Sequence, residues 1–176
     1  MQPLTGWLLL FFLPVQAEPA TSIFGFDEIV VVFEEIIITK SDMTIDQALE
    51  QRLPIQSSVL QAVRENSTLE GLIQLEAIKD LAGDSSLYQA KSEDVQQRYN
   101  QFRAQWTSEA EFQSFLQTNG ISTERIQTKI QKQIVAEQYV SRNLGIPNQA
   151  STLDEDKYYN WLLQTKEQYA IRYVGN

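Results

Sequence analysis

Two adjacent carboxylates, Glu34 and Glu35, interrupt an otherwise apolar run, IVVVFEEIIIT, over residues 29–39. Paired carboxylates are the groups of acid–base catalysis and of cation sites. Neighbouring strand residues point to opposite faces, however, so these two do not converge on one reacting atom. They are expected to form the solvated turn of a β-hairpin. Asp154, Glu155 and Asp156 ahead of Lys157 read as the acidic first turn of a helix, where the helix dipole favours negative charge. A calcium loop would need alternating oxygen ligands around a central glycine, which this stretch lacks. Arg125, Lys129, Lys132 and Arg142 charge one long helix, the first three at i, i+4 and i+7. They could draw acidic clients or lipopolysaccharide, but a solvated face opposite an isoleucine stripe is the expectation. Histidine and cysteine are absent from the whole chain. That removes Ser-His-Asp and Cys-His catalysis and every metal site built on His or Cys. No catalytic, cofactor-binding or metal site is expected.

Binding chemistry has better candidates. Val95, Tyr99, Phe102 and Trp106 fall at offsets 0, 4, 7 and 11, a narrow amphipathic stripe on one helix. Phe112, Phe115 and Leu116 follow on the next. Aromatic side chains offer large contact area with little demand on the partner's sequence, which suits a surface that holds many unfolded segments. Tyr99, Phe102, Trp106, Phe112, Phe115 and Leu116 are therefore the candidate client-binding set. The same spacing is what a core requires, and most of the six are expected to serve there too. Trp106 and Phe112, near the helix junction, are the two expected to be partly exposed.

The elements that position these residues are announced by their ends. The run over 28–42 is β-branched on both sides of its two glutamates and reads as a hairpin, followed by a helix capped by Ser41 or Asp42 and stopped at Pro54. Segment 55–66 is ambiguous and leans towards helix, with a break near Asn66. Ser67 with Glu70 and Ser108 with Glu111 are capping boxes. The helices they open run to about Leu81, ahead of Gly83, and to Asn119-Gly120. Between them a helix starts at Ser92 and carries the stripe down to Trp106. The longest helix spans about Thr123 to Leu144 and is expected to bury Ile126, Ile130, Ile134, Ala136, Val140 and Leu144. A polar linker, residues 146–153, precedes a last helix from Asp154 to about Gln168. Residues 169–174 alternate as a strand. Isolated hairpins are marginal in water, so the terminal strand is expected to complete a three-stranded sheet with the hairpin. The fold class is mainly α: about six helices and a small antiparallel sheet joining the chain's two ends. In that arrangement the sheet is scaffold, and the helical excursion over 41–168 carries function.

The chain has 176 residues and a formal net charge of −9, which argues against a nucleic-acid partner. Its first seventeen residues have a compact apolar centre, Trp7 to Val15, and small residues at Val15 and Ala17, as a cleavable export signal does. Cleavage is expected after Ala17, with residues 18–26 as a tether and 27–176 as one module. No transmembrane segment is expected, since no apolar run beyond Ala17 is long enough to cross a bilayer.

The order of elements resembles that of the SurA-type periplasmic chaperones. Four stretches carry the likeness: IVVVFEEIIITKSDM; LEGLIQLEAIKDLA; SEDVQQRYNQF with EAEFQSFLQTNGIS and IQTKIQKQIVAEQYVSRNL; and the last helix with IRYVG. Together they cover most of residues 28–175. In that family one or two parvulin-type prolyl isomerase domains sit between the long helix and the closing helix. Here that interval is the eight-residue IPNQASTL, and the histidines on which parvulin sites rely are missing. The resemblance therefore implies the chaperone module without its isomerase, and no enzymatic activity. It implies an ATP-independent periplasmic protein holding unfolded or extended segments, such as outer-membrane protein precursors, in an apolar groove between helices. The alternative is an assembly subunit whose groove takes one dedicated partner or its own homodimer mate.

Overall fold

A two-residue hairpin turn between β-branched strands needs a first residue with positive φ, and Glu34 supplies it at 50°. The strands it joins are β1 (Ile29–Phe33) and β2 (Ile36–Thr39). The computed structural model describes residues 27–54, 57–64, 67–145 and 154–174. The expected export signal, tether and linker, and the break near Asn66, lie outside these. The terminal strand β3 (Ile171–Tyr173) pairs antiparallel with β1, giving the sheet order β2-β1-β3. It is shorter than the expected 169–174 because Tyr169 leaves the ladder. Its ring packs on Phe33 with centroids 4.4 Å apart, and its hydroxyl donates to Asp80 Oδ2 at 3.0 Å. Partial burial and that bond to a carboxylate push the phenol up to about 12.

Seven helices follow from the described residues: α1 (Lys40–Arg52), α2 (Ser58–Arg64), α3 (Thr68–Ala82), α4 (Ser92–Arg103), α5 (Glu109–Asn119), α6 (Thr123–Asn143) and α7 (Glu155–Lys166). The ambiguous segment after Pro54 supplies α2, one more than the six counted from the sequence. The cap of α1 is Thr39, not Ser41 or Asp42: its hydroxyl accepts from the Asp42 N–H while the Asp42 carboxylate accepts from the Thr39 N–H. Ser67 and Ser108 cap α3 and α5 with their hydroxyls, but the boxes are not reciprocal: Glu70 accepts from Gln74 and Lys166, and Glu111 from the Thr107 N–H. Asp154, expected in the first turn of α7, is its cap. Gly120 ends α5 in the left-handed region.

The centre of the fold is α3, buried all round from Gly71 to Ile78. The inner row of the sheet, Val31, Phe33 and Ile38, packs on Leu72, Ile73 and Ala77. Val59, Leu60 and Val63 of α2 meet Leu75 and Ile78, Ala136 and Val140 of α6, and Tyr158 and Leu162 of α7. A Cβ on Gly71 would stand 3.2 Å from both Cγ1 and the carbonyl oxygen of Val63, so glycine there lets α2 lie close.

The cationic face of α6 is solvated at Arg142, half-buried at Arg125 and Lys132, and buried at Lys129. Lys129 is 4% exposed and faces the buried Glu76, which also takes Lys132 Nζ at 2.7 Å. The expectation of a solvated face fails at Lys129 because α6 is enclosed by α1, α3 and α4 on more than its isoleucine stripe. Its polar side must then pair. Arg125 joins the hairpin to the helices, reaching Asp27 at 2.7 Å, Asp42 at 3.2 Å and the Thr39 hydroxyl at 2.6 Å. Partial burial acts to raise Asp27. Hydrogen bonds from Thr39, from the Ser41 N–H and from Arg125 outweigh it and bring the carboxyl down to about 2. A carboxyl depressed in the folded state stabilises fully above its unfolded value of about 4. That stabilisation is lost as pH falls towards 2. Asp27→Asn is therefore expected to flatten the loss of stability between about pH 4 and pH 2, read as the shift of the urea midpoint on acidification.

Candidate functional site

The aromatic stripe does come together. Phe102 and Phe112 lie with ring centroids 6.2 Å apart, Tyr99 and Phe112 6.4 Å, Phe102 and Trp106 6.0 Å, and Trp106 and Phe115 4.7 Å, the first three edge-on. Edge-to-face and tilted packing of this kind is favourable in itself. The rings do not line a groove, however. Tyr99, Phe102, Phe112 and Leu116 are buried with Ile45 and Leu49 of α1 and Ile126, Ile130 and Ile134 of α6. They are the core that fastens the α4–α5 hairpin to the rest of the molecule.

Phe112, expected at the surface, is 1% exposed. It sits one turn into α5, on the side that faces α4, and fills the space between Tyr99, Phe102 and Trp106. Trp106 and Phe115 are half-buried at the rim of this core. Helix α4 ends at Arg103, so Trp106 belongs to the connection and not to the helix. The Arg52 guanidinium covers its ring at 3.7 Å and also donates to the Gln105 carbonyl. A cation over an indole face is stabilising, and it takes that face from any partner. Of the expected binding set, only Trp106 and Phe115 keep part of their rings at the surface, and Trp106 lines a shallow cavity with Arg103, Ala104 and Glu109.

Apolar surface lies elsewhere. Six large apolar side chains are exposed among the described residues; Ile29, Ile37 and Tyr173 lie in strands and Val174 follows β3, with Tyr173 opposite Val31 and so on the inner-face side. The ladder pairs Val32 with Ile37 on one side and with Arg172 on the other, which sets these three on the outer face. Val174 follows Arg172 by two residues and shares that face. Helices cover the inner face, whereas Ile37 is 52% exposed on the outer one. The hairpin turn carries Glu34 and Glu35 in solvent, with Glu34 accepting from the Ala170 N–H. The two glutamates are thus a turn, as their adjacency in a strand pair demands.

Such a sheet is a binding element by its chemistry: unpaired strand edges offer backbone hydrogen bonds, and an apolar outer row offers contact area. The chain matches no family model, no curated protein and no solved structure. Sequence reasoning missed this surface because it treated the sheet as scaffold. The signal was present in the run of three isoleucines, which leaves no polar residue at position 37 for the outer face.

The sequence also concealed buried ion pairs. Arg98 of α4 donates to both carboxylate oxygens of Glu137 on α6, at 2.8 and 2.6 Å, with both residues buried. Gln74 in the middle of α3 accepts from the Tyr158 hydroxyl. Among the described residues no group of three or more acidic side chains is placed to hold a metal ion.

Proposed function

We propose that this protein is an exported, ATP-independent chaperone or peptide-binding module that holds unfolded envelope proteins, outer-membrane precursors among them. The observation that supports the reading is the outer face of the sheet, apolar and uncovered by any described element. Backbone pairing at a sheet edge does not depend on the partner's sequence, and apolar contact on one face asks only for alternating apolar residues. Both properties suit a protein that must take many extended clients and let them go without nucleotide. The resemblance to the SurA-type chaperones points the same way, and an export signal over residues 1–17, read from the sequence, would put the module in the periplasm. No helix of the described residues is long and apolar enough to cross a membrane.

The test is the light scattering of an unfolded outer-membrane barrel protein diluted from urea, with and without this protein. Suppression is expected near one-to-one stoichiometry. Ile37→Lys puts a charge in the middle of the outer face at a site that is solvated already. It is expected to raise the ratio needed for half suppression by several-fold, with stability changed by no more than about 0.5 kcal/mol. Absence of suppression by the wild-type chain would remove the chaperone reading. Tight one-to-one capture of a single protein would replace it with a dedicated assembly subunit.

A further inference from the structure

The two edges of the sheet are not equal. In an antiparallel ladder, residues that exchange hydrogen bonds alternate with residues whose N–H and C=O point away. The Val174 N–H donates to the Val30 carbonyl at 2.9 Å. Val30 and Val174 are therefore a hydrogen-bonded pair, and Val32 with Arg172 is the next. Ile171 and Tyr173 accordingly aim both their N–H and C=O groups out of the sheet. That is four backbone groups in a row, with no hydrogen-bond partner among the described residues. On the other edge the two-residue turn makes Phe33 with Ile36 and Val31 with Ile38 the bonded pairs, which leaves Ile37 pointing outward. Beyond it, the Thr39 N–H is taken by Asp42 and the chain turns into α1. Among the described residues the β2 edge is closed after one residue, and the β3 edge is open.

Chemistry along β3 narrows its occupant. Arg172 stands exposed on the outer face, beside Val32 and Val174, and no carboxylate of the described residues lies within ion-pair distance of it. It occupies a position where a paired strand brings side chains closest, the non-bonded pair of the new ladder. A second copy fits poorly. The two-fold register that pairs Ile171 with Tyr173 of a second copy sets Arg172 directly against its own symmetry mate, and like charges so placed are destabilising. A strand that carries Asp or Glu at that point, between apolar residues, satisfies both the backbone and the charge.

Resting on the reading that this protein holds extended polypeptides, we propose that β3 is the docking strand. Its preferred occupant is an extended segment with a carboxylate opposite Arg172 and apolar residues two positions to either side. The client adds a fourth strand beside β3 and continues the apolar outer face.

Two labelled nonapeptides test this, acetyl-VTVTDTVTV-amide and its twin with lysine at the centre, titrated by fluorescence anisotropy. The wild-type protein is expected to bind the aspartate peptide about five-fold more tightly than the lysine peptide, and Arg172→Glu to reverse the order. Tyr173→Pro removes an outward N–H that the ladder to β1 does not use, so the fold is kept while the edge is blocked. Binding of both peptides should be lost, with the circular dichroism unchanged. Equal affinity for the two peptides, or undiminished binding by Tyr173→Pro, would overturn the proposal. If barrel-protein aggregation is still suppressed by Tyr173→Pro as well as by the wild type, the docking strand is wrong and the chaperone reading stands. If the wild type suppresses nothing and binds neither peptide, both fall. Amide exchange without peptide separates other occupants. Protection of the Ile171 and Tyr173 N–H groups that grows with protein concentration would assign the edge to a second copy. Protection independent of concentration would assign it to another part of this chain. Either result overturns the proposal.

Discussion

Glu137→Ala is expected to destabilise the protein by about 3–5 kcal/mol, because it leaves the Arg98 guanidinium buried with no counter-charge. The two residues come from helices whose axes pack side by side, and the paired hydrogen bonds at 2.8 and 2.6 Å fix the rotation of α4 against α6. A buried ion pair is not in itself a strong source of stability, since desolvation of both ions opposes the attraction. The double substitution Arg98→Met with Glu137→Leu is accordingly expected to cost far less than Glu137→Ala alone. Urea titrations of the two singles and the double close the cycle. A double variant as unstable as the single would mean that the pair carries net stability and not only orientation. Amide exchange in Glu137→Ala should rise first along α4 and α5. That hairpin meets the body through α4 on α6 and through its buried rings, so a loss at Arg98 loosens it before α3.

Much of this architecture is written in element ends. Ser67, Ser108, Gly83 and Gly120 stop and start helices where the sequence says, because a capping hydroxyl or a left-handed glycine acts within four residues and needs no tertiary partner. The three-stranded sheet was legible for a different reason: the chain offers one further β-prone segment after the hairpin, and a hairpin alone does not persist. What could not be read is set by packing at a distance. Thr39 displaces Ser41 as a cap because the strand runs on until the Asp42 carboxylate meets the Thr39 N–H. Lys129 and Glu76 look like solvated charges on their own helices, and become a buried pair because α3 is surrounded on every side. Local spacing does not say how many neighbours a helix will have.

The candidate site was legible in type and not in place. Aromatic residues at helical spacing describe a client groove and a helix-packing core equally well, since both ask for large apolar area on one face. The outcome turns on whether a neighbouring helix covers that face, and α1 and α6 cover it here. The sheet presents the converse. Its β-branched residues are apolar on both faces, and with helices on only one of them the other row stays in solvent.

The two readings of the aromatic residues part most clearly at Phe102, which is fully buried. If it lined a groove, Phe102→Ala would weaken the holding of clients and leave the fold intact. As the centre of the core between α1, α4, α5 and α6, it is expected to lose about 3–5 kcal/mol of stability on truncation to alanine. The molecules that remain folded should suppress aggregation as the wild type does, because the outer face of the sheet lies on a different core cluster. Ile37→Lys should show the opposite pair of effects, near-native stability and weakened holding. Measuring urea midpoints and suppression per folded molecule for both variants gives four numbers, and the crossed pattern follows only if α4 and α5 are structure and the sheet is surface. Weakened holding in Phe102→Ala at unchanged stability would return the site to the helices, since a solvent-facing ring can be removed without leaving a cavity and a core ring cannot.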